Sequence, residues 1–477
     1  MASTVEQSPH FAGRLQRGEL VVRDLPKFDL DSYISNYEGQ TRLARLHYIA
    51  RLCPQLAIEA LHIAIPEATS SKDPSLYIEL TSLLHEISSK DALATPDTEW
   101  VERRKKENQR ETERLEQELR GYKNNLIKES IRMGQEDLAS HYLATADFEN
   151  SQKAFQRMRE YCTTPKHVAE MTLKLMYSSL ISDSWLMVQS HCHKARVLSI
   201  KPEEKAKFDP AIEACSGLAY LSVEEYGSAA KSFLRVNPSY ITSEPISSIA
   251  FQKAVMTGND IAVYGGLTAL ASMDRDQLRN HVLENSEFRT FLELEPHIRR
   301  AISSFCDAKY TACLQALEAY RSDYLLDIYL GPHLSDLYGK IRSKSIVQYF
   351  VPFSHVRIAD LAAAFPMRGQ GAPTGQAAVK AMEDELVDMI QDRMLEARID
   401  AVDGLLLAPP RDSRAETQEG VLETAAEIEH SLRLKLHRLN MQHAGLELAN
   451  PKGGKGSKIT SMPGWDGPDL GTPMSNA

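Results

Sequence analysis

In YEGQTRLARLHYIARLC (37–53) the apolar residues Leu43, Leu46, Ile49 and Ala50 fall at helical steps, which predicts an amphipathic helix with one buried stripe. From Glu102 to Arg114 the pattern vanishes: ERRKKENQRETER has no apolar residue, and ten of its thirteen residues are charged. That composition predicts a solvated helix held by opposite charges at i,i+4, with an arm that meets a charged partner as the sharper alternative.

A repeat follows. Ala139, Tyr142, Phe148, Ser151 and Phe155 run small, aromatic, aromatic, small, aromatic; adding 78 to each number gives Gly217, Tyr220, Tyr226, Ala229 and Phe233 in the same order. Between them, Trp185, Val188, Cys192 and Ala195 repeat the steps of Phe148, Ser151, Phe155 and Met158, and Ala301, Tyr310, Cys313 and Leu317 match again. The aromatic anchors at 148, 185, 226 and 310 are 37, 41 and 84 apart, the last about two periods. Such periods belong to tetratricopeptide-like helical hairpins. The small residue lets two helices approach, and the ring fills the groove to the next hairpin. These side chains are therefore expected in the core, leaving function to the exposed surface.

After about residue 340 the grammar changes. KIRSKSIVQYFVPF (340–353) predicts a helix stopped by Pro352, and HVRIADLAAAF (355–365) a short extended stretch and a compact helix. Beyond a Gly/Pro-rich loop (366–376), AMEDELVDMIQDRMLEA (381–397) predicts an amphipathic helix with Leu386, Ile390 and Met394 on one face. ARIDAVDGLLLA (397–408) alternates around Asp403-Gly404, a hairpin signal. Strand, two helices and hairpin make the order of a winged helix. Finally, Val421, Ala425, Ile428, Leu432, Leu436 and Leu439 form a 4-3-4-4-3 seam that wants a partner helix.

Composition narrows the class. The chain has 477 residues, 43% hydrophobic and 25% charged, as in an ordinary soluble protein. MASTVEQSPHFAG lacks a basic-then-apolar leader, and IAVYGGLTALASM (261–273) is too short to span a bilayer. Cys53, Cys162, Cys192, Cys215, Cys306 and Cys313 form no CxxC pair and are expected as reduced thiols of the cytosol or nucleus. A net charge of −10 argues against a dedicated nucleic-acid binder, although Lys340, Arg342, Lys344 and Arg357 form a local basic cluster.

No catalytic grammar emerges. Adjacent helical residues diverge by about 100°, so His191, Cys192 and His193 cannot easily face one ion. A His-x-His metalloprotease would also need Ser and Asp downstream, and KARVLSIKPEEK has no Asp. H-E-x-x-H, G-x-S-x-G and the phosphate-loop spacing are absent, the tail PKGGKGSK (451–458) included. Lys452, Lys455 and Lys458 are expected as a solvated tail. No catalytic residue, cofactor or metal is expected.

Helical repeats running into a winged helix are the layout of the PCI module. NNLIKESIRMGQEDLASHYLATADFENSQKAFQRMREYC (124–162), DIAVYGGLTALASMDR (260–275), FRTFLELEPHIRRAISSFCDAKYTACLQAL (288–317) and YLLDIYLGPHLSDLYGKIRSKSIVQYFVPF (324–353) resemble the subunit-one family of the constitutive photomorphogenesis 9 (COP9) signalosome. So does AMEDELVDMIQDRMLEARID (381–400), and the likeness covers roughly 33–440; MRGQGAPTGQAAVKA (367–381) is longer than the family's usual connection.

The resemblance implies a mostly α chain: a tetratricopeptide-like solenoid, a winged-helix (PCI) module and a C-terminal helix. The expected organisation is a disordered segment (1–30), helical repeats (31–240), a PCI domain (241–411, winged helix 340–411), a bundle helix (412–448) and a disordered tail (449–477). It further implies a non-catalytic scaffold of the complex that removes Nedd8 from cullin–RING ubiquitin ligases, in nucleus and cytoplasm. Expected partners are other signalosome subunits, two and three beside the winged helix and others through a helical bundle, and cullin–RING ligases through the complex; no membrane or direct nucleic acid is expected. The expected interface residues are Ile399, Ala401, Leu405 and Leu407 on the hairpin, taken as strands with a free edge, and Val421, Ala425, Ile428, Leu432, Leu436 and Leu439 on the terminal helix. The alternatives are the homologous subunit of the proteasome lid and, from another class, a winged-helix nucleic-acid binder.

Overall fold

A computed structural model describes residues 5–366, 375–409 and 413–446. The loop 367–374 and the tail from 447, with its three lysines, lie outside the described residues.

Residues 5–30 are ordered where disorder was expected. A helix spans Pro9–Gln16, and Phe11, Val22 and Leu30 are buried against the helices Gly39–Leu52, Ala57–Ser70 and Pro74–Ile87. These anchors are too sparse to show a period, since a strap docks one side chain at a time. Leu43, Leu46, Ile49 and Ala50 all face that core, as the stripe required.

The charged stretch lies inside one 28-residue helix, Thr98–Asn125, opened by Asp97, whose carboxylate accepts from the Trp100 N–H at 3.0 Å. Arg114 pairs with Glu111 and Glu118 on the wet side. Only Leu115 and Leu119, past the charged run, join Ile131 and Leu138 in a small core.

The repeats are real hairpins, and their turns repeat with them. The four pairs are Lys128–Ala144 with Phe148–Met158, Pro165–Ile181 with Trp185–Val197, Pro202–Ser222 with Tyr226–Phe233, and Pro296–Cys306 with Tyr310–Glu318. Two residues before each anchor, Ala146, Asp183, Glu224 and Ala308 adopt positive φ of 60°, 52°, 66° and 60°. The next N–H reaches back five residues each time: Asp147 to Tyr142 O, Ser184 to Ser179 O, Glu225 to Tyr220 O and Lys309 to Ser304 O, at 2.8–3.0 Å. This is the Schellman ending, which satisfies carbonyls a helix end leaves orphaned. None of the four left-handed residues is glycine, so composition alone hides the motif.

The small positions are crossings. A Cβ on Gly217 would stand 2.7 Å from the Phe233 ring, and Ser151 Oγ donates to Ala139 O at 2.9 Å. Phe155, Phe233, Cys192 and Cys313 are buried. One continuous core runs from Ala169 to Leu406, across the boundary expected at 240/241, so the repeats and the helices beyond that boundary share an interior.

The helix Leu334–Phe350 ends ahead of Pro352. The winged helix follows as β1 (His355–Arg357), helices Ile358–Ala364 and Gln376–Gln391, β2 (Arg398–Asp400) and β3 (Leu405–Leu407). Leu361, Leu386 and Leu406 are its fully buried centre. Met394 lies past the second helix and is exposed, so the expected face is completed by Met382 and Met389 instead.

Residues from Pro409 form a separate unit, whose described part is the helix Ser413–His443. No described helix is long and apolar enough to cross a membrane.

Candidate functional site

The sheet corrects the expected edge. β3 is central, pairing antiparallel with β1 (Val356 opposite Leu406) and with β2 (Ile399 opposite Leu406). Leu405 and Leu407 therefore have neighbours on both sides and offer no free ladder. Ala401 is not in a strand at all: it begins the four-residue turn to Gly404, where Asp400 Oδ1 accepts from the Val402 N–H at 3.0 Å and Gly404 takes φ +63°. The hairpin is as read, but of the four hairpin residues only Ile399 lies on an outer strand. Among the described residues the unpaired edges belong to β2 and β1, each three residues long.

The seam of the terminal helix is exposed. Val421, Ile428, Leu432, Leu436 and Leu439 are 50–62% exposed, and Ala425 is exposed too. Arg433 pairs with Glu429 at 2.6 Å on the polar side. An amphipathic helix is marginal in water unless its apolar face is covered. The seam is an apolar stripe several turns long, the form by which a helix enters a bundle.

Three of the four residues of the basic cluster are engaged within the chain, while Arg357 is exposed on β1. Arg342 forms a fork on Glu385 (2.8 and 3.1 Å) and donates to Phe365 O, while Lys340 pairs with Asp336 at 3.0 Å. Lys344 donates to Leu270 O and Met273 O, the open carbonyls ending the helix Gly258–Ser272; burial brings its pKa down to about 8. Phosphate contact would have to break these bonds. His191 and Cys192 point into the core while His193 faces out, and no cluster of metal-ligating side chains occurs among the described residues.

Comparison with known proteins agrees with this architecture. The family described as 26S proteasome subunit RPN7 matches residues 97–281, and the PCI domain matches 317–409. COP9 signalosome complex subunit 1 of Emericella nidulans is 47% identical over 90% of this chain and 84% of its own. The Neurospora crassa protein of that name is 37% identical, covering 86% and 89%, and subunit 1b of Drosophila melanogaster 32%, covering 91% and 89%. A 26S proteasome non-ATPase regulatory subunit 6 from Caenorhabditis elegans reaches 23% over 66% of this chain. This chain belongs to the COP9 signalosome subunit 1 family.

Sequence reading missed the most unusual residue of this signalosome subunit. Arg45 is completely buried, on the helix whose other face carries Leu43 and Leu46. Its Nη1 donates to Asp327 Oδ2 (2.6 Å) and the Tyr33 hydroxyl (2.6 Å), and Nη2 lies 3.3 Å from Asp260 Oδ2 and the Tyr264 hydroxyl. The Tyr37 ring covers it, 4.1 Å from the guanidinium carbon. Burial opposes the charge, but Asp327, Tyr33, Tyr37 and Asp260 outweigh it and hold the guanidinium firmly protonated. One cation thereby ties the N-terminal bundle to the central core. No local signal marks it: Arg at an apolar stripe's margin reads as a snorkelling side chain.

Proposed function

We propose that this chain is a non-catalytic scaffold of the signalosome, the complex that removes Nedd8 from cullin–RING ubiquitin ligases with a zinc metalloprotease held by another subunit. The exposed seam from Val421 to Leu439 carries the reading, because a helix of this kind is built to be covered by other helices. The outer strands of the winged helix supply a second contact, suited to the winged helices of subunits two and three. Cullin–RING ligases are then reached through the assembled complex, in nucleus and cytoplasm, without cofactor, membrane or nucleic acid.

The matching RPN7 family keeps one other reading in view, a place in the proteasome lid. Affinity purification of the tagged chain with mass spectrometry separates the two. Recovery of signalosome subunits in fixed ratio supports the proposal; recovery of lid subunits overturns it. The purified chain alone should hold no stoichiometric zinc and leave a Nedd8–cullin conjugate intact, and cleavage in a preparation free of other subunits would end the scaffold reading.

A further inference from the structure

A cavity of about 270 Å³ opens where the N-terminal strap meets the central core. Its walls are aromatic rings and carboxylates: Phe28, Tyr33, Tyr320, Tyr324, Glu295 and Asp323 among them. The Tyr320 ring stacks on the His297 imidazole, with centroids 3.8 Å apart and planes 15° from parallel. Lys27 Nζ stands over the same Tyr320 ring, 3.9 Å from its centroid. The imidazole covers one face, so the ammonium takes the other. Phe28 stacks on Tyr33 at 4.5 Å beside it.

The charges around this ring do not balance. Deeper in the wall, Asp260 and Asp327 share the single guanidinium of Arg45. Nearer Tyr320, Asp323 accepts the backbone N–H of Lys27 (2.8 Å), and Glu295 accepts from Asn259 Nδ2 (2.8 Å) and lies 3.3 Å from His297 Nδ1. Among the described residues neither forms a lysine or arginine ion pair. Burial raises the pKa of both carboxyls, outweighing the Asn259 hydrogen bond on Glu295 and the Lys27 charge beside Asp323. His297 cannot supply it: burial, with Arg300 and Lys27 adding, brings its imidazole to about 4, so it is neutral at physiological pH. Electron-rich ring faces backed by under-compensated carboxylates are the chemistry of alkylammonium recognition.

We propose that this cavity is an alkylammonium pocket, whose Tyr320 face is taken by Lys27 in the isolated chain and for which a lysine ammonium of a partner protein, bare or methylated, competes. Lys27 is suited to yield, being exposed on a strap rather than inside an element. A cation–π contact at an exposed site is worth about two- to fivefold in equilibrium, so removing Lys27 should unmask the pocket by that factor. The inference does not depend on the scaffold reading.

The test is titration of the full-length chain with Nα-acetyl-lysine amide, its Nε-trimethyl form and its uncharged Nε-acetyl form, followed by ligand-observed NMR. Lys27→Ala should bind one or both charged probes about two- to fivefold more tightly than wild type, and the uncharged probe no better. In the Lys27→Ala background, Tyr320→Leu should lose about two- to fivefold of that affinity, and Tyr320→Phe should keep most of it. Tyr320→Leu also removes the stack on His297, so each variant is checked by thermal melt. Should that variant fail to fold, Lys27→Ala and Tyr320→Phe still decide. Equal affinity of wild type and Lys27→Ala, equal binding of charged and uncharged probes, or no binding by folded Lys27→Ala overturns the proposal.

Discussion

Arg45 Nη1 lies 2.6 Å from Asp327 Oδ2 although 282 positions separate the two residues. Both are buried: Arg45 stands on the helix Gly39–Leu52, and Asp327 in the bend after the helix Arg321–Leu325, between Leu326 of the N-terminal core and Leu330 of the central one. Removing one partner of such a pair leaves an unpaired charge in the interior, which costs about 3–5 kcal/mol. Arg45→Met should lower the urea midpoint accordingly. An unchanged midpoint would mean that Asp327 and Asp260 find water or a proton cheaply, and that the pair is not what joins the cores.

At the hairpin crossing, Gly217→Leu should destabilise by about 1–3 kcal/mol, because even its Cβ would stand 2.7 Å from the Phe233 ring. Adding Phe233→Leu should recover part of the loss. A melt identical to wild type would remove Gly217 from the crossing.

The left-handed turn residues predict a gain. Ala308 holds φ +60°, which costs an L-residue about 1–2 kcal/mol, while glycine adds about 0.5–1 kcal/mol of chain entropy to lose. Ala308→Gly should therefore stabilise the chain by about 0.5–1 kcal/mol in equilibrium unfolding. A loss of stability would show that the turn carries no strain.

The terminal helix should be separable from folding. Ending the chain at Arg411, or combining Ile428→Asp with Leu432→Asp, should leave the melting temperature near wild type and impair incorporation into the complex. A carboxylate buried in a bundle seam without a partner is strongly unfavourable, whereas on an exposed one it is harmless. A truncated chain that melts far below full length would place the helix in this subunit's own core.

Burial brings the His191 imidazole to about 4, with Lys194 adding, against an unfolded value near 6.5. The folded chain thus resists a proton that the unfolded chain accepts. Stability from this site is full above about pH 6.5 and is lost as pH falls toward 4. His191→Leu should flatten the decline over that window, and the side chain can be spared because its Nδ1 has no hydrogen-bond partner among the described residues. His297, also near 4, should leave part of the slope in place. An undiminished slope would assign the acid sensitivity elsewhere.

Periodicity made much of this protein legible without coordinates. The stripe of Leu43 to Ala50, the anchors 148, 185, 226 and 310, the order of the winged helix and the seam from Val421 to Leu439 are all patterns in which neighbours along the chain share one environment. Helix period, turn chemistry and apolar spacing are local, so a single sequence states them.

What only the tertiary structure decided is non-local. The strap from Val5 to Leu30 has no period because its anchors find their partners one at a time. Leu405 and Leu407 looked like edge residues until β1, some fifty positions earlier, took the far side of their strand. Arg45 and Lys27 resembled ordinary surface cations, yet one is enclosed by Asp260 and Asp327 and the other rests on Tyr320. Electrostatic pairing acts through space at a few ångströms, and the chain closes those distances only once its cores have packed.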